Sequence, residues 1–157
     1  MRPCSLLVPI FALTAAFPAH AQLRTTRSLT LEGAKNIAVA AEAEAKRNNW
    51  NVVISIVDAG GELLYFQKGD GTRPANGEFA LRKARTAAKF QRPTKFLDSA
   101  VTAGRIAYLS TDALPIEGGE PIVVDGMVIG AVGVSGATAA QDAQVARAGI
   151  AALKTFP

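Results

Sequence analysis

Apolar and polar positions alternate in blocks that divide this chain into helices and strands. The clearest block is Ile122-Val123-Val124-Asp125-Gly126-Met127 followed by Val128 through Val134, two apolar runs flanking an Asp-Gly pair. Asp-Gly between apolar runs predicts a two-residue type I′ hairpin, with Val124 facing Met127 across it. The second run carries no polar side chain from Met127 to Val134, so it reads as a strand covered on both faces. Gly130 and Gly133 leave room there for another backbone or a ligand to come close. The run exits through Ser135-Gly136-Ala137-Thr138 into a helical pattern.

Earlier in the chain, Ala34, Ile37, Ala38, Ala41 and Ala45 recur at helical spacing. Thr30 caps that helix, Glu32 lies in its first turn, and Asn48-Asn49 end it. The β-branched run Val52 to Val57 predicts a buried strand. Asp58-Ala59-Gly60-Gly61 turns the chain, and Glu62 to Gln67 returns as its hairpin partner. Residues 68–76 read as a loop, and an Ala-rich helix follows from Gly77 to Phe90. Pro93 interrupts it, and a shorter helix runs from Lys95 to Thr102 with Thr94 as cap. Gly104 to Glu120 is the least regular stretch. The last helix runs from Ala139 to Lys154, with Thr138 and Gln141 placed for a capping box. Hairpins interleaved with helices give an α+β class.

At 157 residues, 49% hydrophobic and 19% charged, the chain is sized and composed for one domain with a substantial core. Its first residues follow different rules. Arg2, the apolar stretch Leu6 to Phe17 and Ala19-His20-Ala21 match a secretory signal cut after Ala21, and the apolar stretch falls short of the roughly 20 residues that span a bilayer. The expected organisation is a signal peptide at 1–21, a flexible leader at 22–28 and one domain at 29–157, placing the protein in the periplasm or outside the cell. No stable membrane anchor is expected after cleavage.

Cleavage would remove the only cysteine, Cys4, and the only histidine, His20. It would also lower the basic count from 17 to 16 against 13 acidic residues, a formal charge of +3. This mild, dispersed charge does not argue for a nucleic-acid partner. Gly130 to Gly136 has the spacing of neither a dinucleotide fingerprint nor a P-loop. Gly133-Val134-Ser135-Gly136 resembles a nucleophile elbow, yet its second glycine comes one residue early and no mature histidine can serve as base. The usual Cys/His zinc sites are excluded on the same ground.

Anion-facing features remain. Arg82, Arg85 and Lys89 fall on one helix face, as a cationic stripe for ligand carboxylates or as a solvated basic face. The start of the last helix offers backbone N–H groups together with the Ser135 and Thr138 hydroxyls, as an anion site or as a plain capped turn. Glu117, on the turn before the hairpin, is a candidate general base or a surface residue. Tyr65, Tyr108 and Met127 are candidate haem-iron ligands, though each of these residue types is more often a core residue.

The segments Val57 to Gly61, Lys83-Ala84-Arg85-Thr86-Ala87, and Pro121 through Gly136 followed by Gln141-Asp142-Ala143 resemble the GlcG/HbpS family, also described as the haem-degrading domain and related to the C-terminal domain of PduO-type proteins. The resemblance covers about Leu29 to Leu153. It implies a profilin-like antiparallel sheet of about five strands with helices packed on it, homo-oligomers, and haem binding in several members with breakdown or redox sensing proposed. It also implies Lys83, Arg85, Thr86, Ser135 and Gly136 as ligand-site positions. Three functions are therefore carried forward. One is a haem or tetrapyrrole binder with propionates on Arg82, Lys83 or Arg85. Another is an enzyme on a small hydroxy or keto acid, with Glu117 and Lys83 as acid-base pair. The third is a non-catalytic oligomeric sensor or assembly module.

Overall fold

A computed structural model describes residues 26–153. The expected signal peptide and its expected cleavage site, like the chain after residue 153, lie outside the described residues. Within them, α1 spans Leu31–Arg47, β1 Val53–Asp58, β2 Leu63–Lys68, α2 Asn76–Phe90, α3 Thr94–Thr102, β3 Gly119–Val124, β4 Met127–Ser135 and α4 Ala139–Ala151, with a 3₁₀ turn at Ile106–Ser110.

The strands form one antiparallel sheet in the order β2-β1-β4-β3. Each outer strand is joined to its inner neighbour by a hairpin, and the two hairpins meet where β1 pairs with β4. The sheet thus has four strands among the described residues, which corrects the expectation of about five. The stretch between α3 and β3, the least regular in the sequence, is a 3₁₀ turn and irregular chain, with Gly118 at a φ of 124°.

The turn of the second hairpin behaves as its residues require. Asp125 (φ 49°) and Gly126 (φ 75°) both adopt positive φ, and Val124 pairs with Met127. Beyond its first two residues, β4 is buried throughout. Its alternate side chains serve two layers. Val132 and Val134 join Ile54, Ile56 and Ile122 against α1 and α4. Ala131 joins Val57, Ala84, Ala87 and Ala88 against α2. At Gly133 the close approach is literal, since an added Cβ would collide with the Ala80 carbonyl oxygen and the Ala84 backbone. Small residues on both sides let α2 lie almost backbone to backbone on the sheet.

The helix ends follow local chemistry. Thr30 Oγ1 accepts from Gly33 N at 3.1 Å, and the Thr138/Gln141 capping box is complete. Thr94 departs from its expected role. It is the first residue of α3, Pro93 holds the cap position, and the buried Thr94 hydroxyl accepts from Gly119 N at 2.9 Å, tying α3 to β3.

Candidate functional site

One face of α2 builds the candidate site. Arg82, Arg85 and Lys89 project from the same side of the helix and, with Thr86 and Phe90, form one wall of a cleft of about 500 Å³. Thr111, Asp112 and Ala113, from the irregular chain after the 3₁₀ turn, form the other wall. Thr86 fastens the two walls together, because its Oγ1 accepts from Leu114 N at 2.9 Å in a buried setting. Phe90 packs edge-on against Tyr108 with ring centroids 6.3 Å apart, and the Arg105 guanidinium lies 5.6 Å from the Tyr108 ring centre.

The cations in this cleft are poorly compensated. Arg82 reaches Glu78 only at 3.9 Å. Among the described residues no carboxylate comes within 4.0 Å of Arg85 or Lys89. Arg85 is oriented instead by a carbonyl, its Nε donating to Gly61 O at 3.1 Å. This leaves both Nη groups of the guanidinium for an anion.

Lys83 does not share the cleft. One residue beyond Arg82 is a rotation of roughly 100° around the helix, which turns Lys83 inward. Its Nζ donates to Asp142 Oδ2 at 2.9 Å and to Val134 O at 3.0 Å, and it is 2% exposed. Asp142 lies in the first turn of α4 and also accepts from Ala137 N at 3.0 Å. Burial pushes the Asp142 carboxyl above its ordinary range, opposed by Lys83 and by the Ala137 and Gly136 N–H groups. The helix end expected to take a ligand's anion is therefore filled by the chain's own carboxylate. The nearby donors are engaged as well, since Thr138 N donates to Gln141 Oε1 and Thr138 Oγ1 accepts from Gln141 N. Gly136 and Thr138 line a separate groove with Trp50, Asn51 and Arg73, while Ser135 is buried at the end of β4.

Glu117 stands in a third place. Its carboxylate pairs with Lys95 at 3.2 Å, its backbone N–H donates to Asp98, and it lines a shallow depression beside α3. The three candidate iron ligands are also dispersed. Tyr65 lies on β2 with its hydroxyl on Gln67, Met127 sits exposed at the hairpin tip, and Tyr108 alone neighbours the cleft through Phe90.

Of the sequence candidates, then, the structure gathers Arg82, Arg85, Thr86 and Lys89 and separates Lys83, Glu117, Ser135, Gly136 and Thr138 from them. Sequence reasoning missed Phe90, Thr111, Asp112 and Ala113. Phe90 shares the helical face of Arg82 and could have been found by periodicity, whereas residues 111–113 lie in a segment with no period to read.

A model of the family described as haem-degrading protein, HbpS-like, matches residues 29–151. The chain belongs to this family. It is 46% identical over 114 residues to protein GlcG of Escherichia coli K12, covering 72% of this chain and 85% of that one. The structure resembles that of a double mutant of Streptomyces reticuli HbpS, with a TM-score of 0.79, 33% identity, and coverage of 94% of this chain and 100% of the other. It also resembles the PduOC structure solved as a haem complex, with a TM-score of 0.74, 29% identity, and coverage of 80% and 95%. Membership accounts for the fold and for the hairpin-and-helix motif on which the resemblance rested.

Proposed function

We propose that this protein binds haem, or a tetrapyrrole like it, in the cationic cleft of α2. The observation that carries this reading is the convergence of Arg82, Arg85 and Lys89 on one cleft, with Arg85 and Lys89 lacking a carboxylate partner among the described residues. Three cations against the single Asp112 carboxylate leave the cleft with a net positive charge that favours an anionic ligand. Paired propionates suit the site, since a guanidinium fork binds carboxylate in two parallel hydrogen bonds. Kinship with a haem-degrading family and with a domain solved in complex with haem supports the choice of ligand.

The residues present fit the acidic edge of the macrocycle. The cleft volume falls within the usual range for small-molecule sites. Phe90 and Ala113 offer apolar contact beside the cations. For the iron the donor set is narrower. Neither His nor Cys occurs among the described residues, and of the three candidate ligands Tyr108 stands nearest this wall, beside Phe90. Tyrosine oxygen is an established haem-iron donor. Bound haem would supply redox-active iron, and the chain's own part would be to hold the propionates and shield one face of the ring.

In this reading the protein is exported, cut after Ala21, and acts in the periplasm or outside the cell as a homo-oligomer, in haem sequestration, degradation or redox sensing. The signal-like leader supports export, and the exposed Phe96, Ile106 and Leu109 support self-association. The alternative of an enzyme on a hydroxy or keto acid keeps the cationic cleft, but its proposed acid-base pair is dispersed. Glu117 is held by Lys95 and Lys83 by Asp142.

Haemin titration of the chain from Gln22 onward, followed by the Soret band, tests the reading. A saturable shift at micromolar protein is expected. A spectrum that stays that of unbound haemin at every ratio would overturn it.

A further inference from the structure

We infer that the Asp58–Gly61 turn between β1 and β2 is the positioning element of the cationic cleft, an inference that rests on reading the cleft as a carboxylate site. The turn is far from the cleft in sequence, and its family motif has no role in the function so far described. Its geometry gives it one.

One oxygen of the Asp58 carboxylate is spent inside the turn. Oδ1 accepts from Gly60 N at 2.8 Å and from Glu62 N at 2.9 Å, and the Asp58 backbone is bonded to Glu62 O and Gly61 N. The turn is rigid as a result, and the Asp58 Oδ1 that might have attracted the nearby cations is already occupied. This fixes the direction of the Gly61 carbonyl, which receives Arg85 Nε at 3.1 Å. A guanidinium is planar, so fixing Nε sets the plane in which both Nη groups meet a ligand. Among the described residues, Arg82 and Lys89 have no such carbonyl anchor.

Gly61 also shapes the path of Lys89. It has a φ of 90°, and a Cβ there would stand 3.3 Å from Lys89 Cε and 3.6 Å from Arg85 Cγ. The stems of both cations therefore lie across the bare face of Gly61. A side chain at this position would strain the turn that carries the Gly61 carbonyl and push the Lys89 stem aside by a few tenths of an ångström. Gly61 is thus required twice over, for its conformation and for the surface it leaves open.

The test compares haemin with haemin dimethyl ester, which lacks the propionate charges. Gly61→Ala should weaken haemin binding about tenfold, the equivalent of one charge-assisted hydrogen bond, and leave the ester's affinity unchanged. The Arg85 Nε–H proton, hydrogen-bonded to Gly61 O in the parent protein, should exchange with solvent faster in the variant than in the parent. Gly126→Ala serves as the control. It places the same strain in the other hairpin turn (φ 75°), where an added Cβ meets nothing within 4 Å, and should leave both ligands unaffected. If Gly61→Ala does not fold, Asp58→Ala carries the same expectation, because it loosens the turn without touching α2. Undiminished haemin binding in a folded variant overturns the positioning role, as does an equal loss for both ligands. Failure of the parent protein to bind haemin is a separate result, which would remove the reading of the cleft itself.

Discussion

The Lys83 ammonium and the Asp142 carboxylate lie 2.9 Å apart with both side chains 3% exposed. They join α2 to the first turn of α4 at the end of β4, and the Val134 carbonyl and Ala137 N–H complete the network. Removing one member of such a pair leaves a buried charge with no partner, which costs about 3–5 kcal/mol. Lys83→Met should therefore lose stability on that scale in urea unfolding. The Lys83→Met/Asp142→Leu double variant should be more stable than the sum of the two single losses implies. Additive losses would mean that the two side chains are not coupled.

Ser55 has the one buried side-chain polar atom without a hydrogen-bond partner among the described residues. It pairs across the sheet with Gly133 and Phe66, on the central strand β1. A hydroxyl desolvated with nothing in return costs on the order of 1–3 kcal/mol. Ser55→Ala should accordingly raise stability by about 1 kcal/mol, visible as a higher urea midpoint with an unchanged slope.

The haem reading makes an electrostatic prediction. Arg82, Arg85 and Lys89 face a solvent-open cleft, so their attraction for propionates is screened by salt. Haemin affinity should fall as ionic strength rises, and Arg85→Glu should weaken it by at least about tenfold. Lys83→Met, where it folds, should leave haemin affinity nearly unchanged, because that lysine faces Asp142 rather than the cleft. A strong haemin defect in Lys83→Met alone would contradict this division.

Two carboxyls give the fold a pH dependence of definite sign. Burial raises Glu120 above its ordinary 4.5, only partly offset by Arg147 at 2.8 Å, and burial likewise raises Asp142. A group whose pKa is higher folded than unfolded stabilises the fold while protonated, and that contribution is lost as pH rises through the folded value. Glu44 acts oppositely, since hydrogen bonds from Gln144 and Arg47 lower it. In urea melts taken from pH 4 upward, Glu120→Gln should flatten the fall in stability above pH 4.5 relative to the parent. An identical slope in both proteins would remove Glu120 from the pH response.

Much of the fold was legible because its signals are local. The Asp125-Gly126 turn, the Thr30 cap, the Thr138/Gln141 box and the unbroken apolar run of β4 are each decided by a few adjacent residues. The cationic face of α2 was legible for the same reason, through helical spacing. What lies across the chain was not. Nothing next to Lys83 announces that its partner is Asp142, 59 residues away. The donors at the start of α4 suggested an external anion because the sequence does not show that a side chain already fills the place. Thr94 likewise looked like a cap, since its bond to Gly119 is invisible until α3 meets β3.

The sheet order β2-β1-β4-β3 also says something about how the molecule comes together. Each hairpin closes over a short turn and can form within microseconds, yet a lone hairpin is barely stable in water. The seam that unites them pairs Val53 with Ser135 and Asp58 with Gly130, positions separated by about 70 to 80 residues. Closing that seam carries the main loop entropy of the fold, and α2 lies within the loop being closed. The close seat of α2 on Gly133 is available only once β1 and β4 are side by side. The rate-limiting event should therefore be the joining of two preformed halves, with α2 arriving as the seam closes.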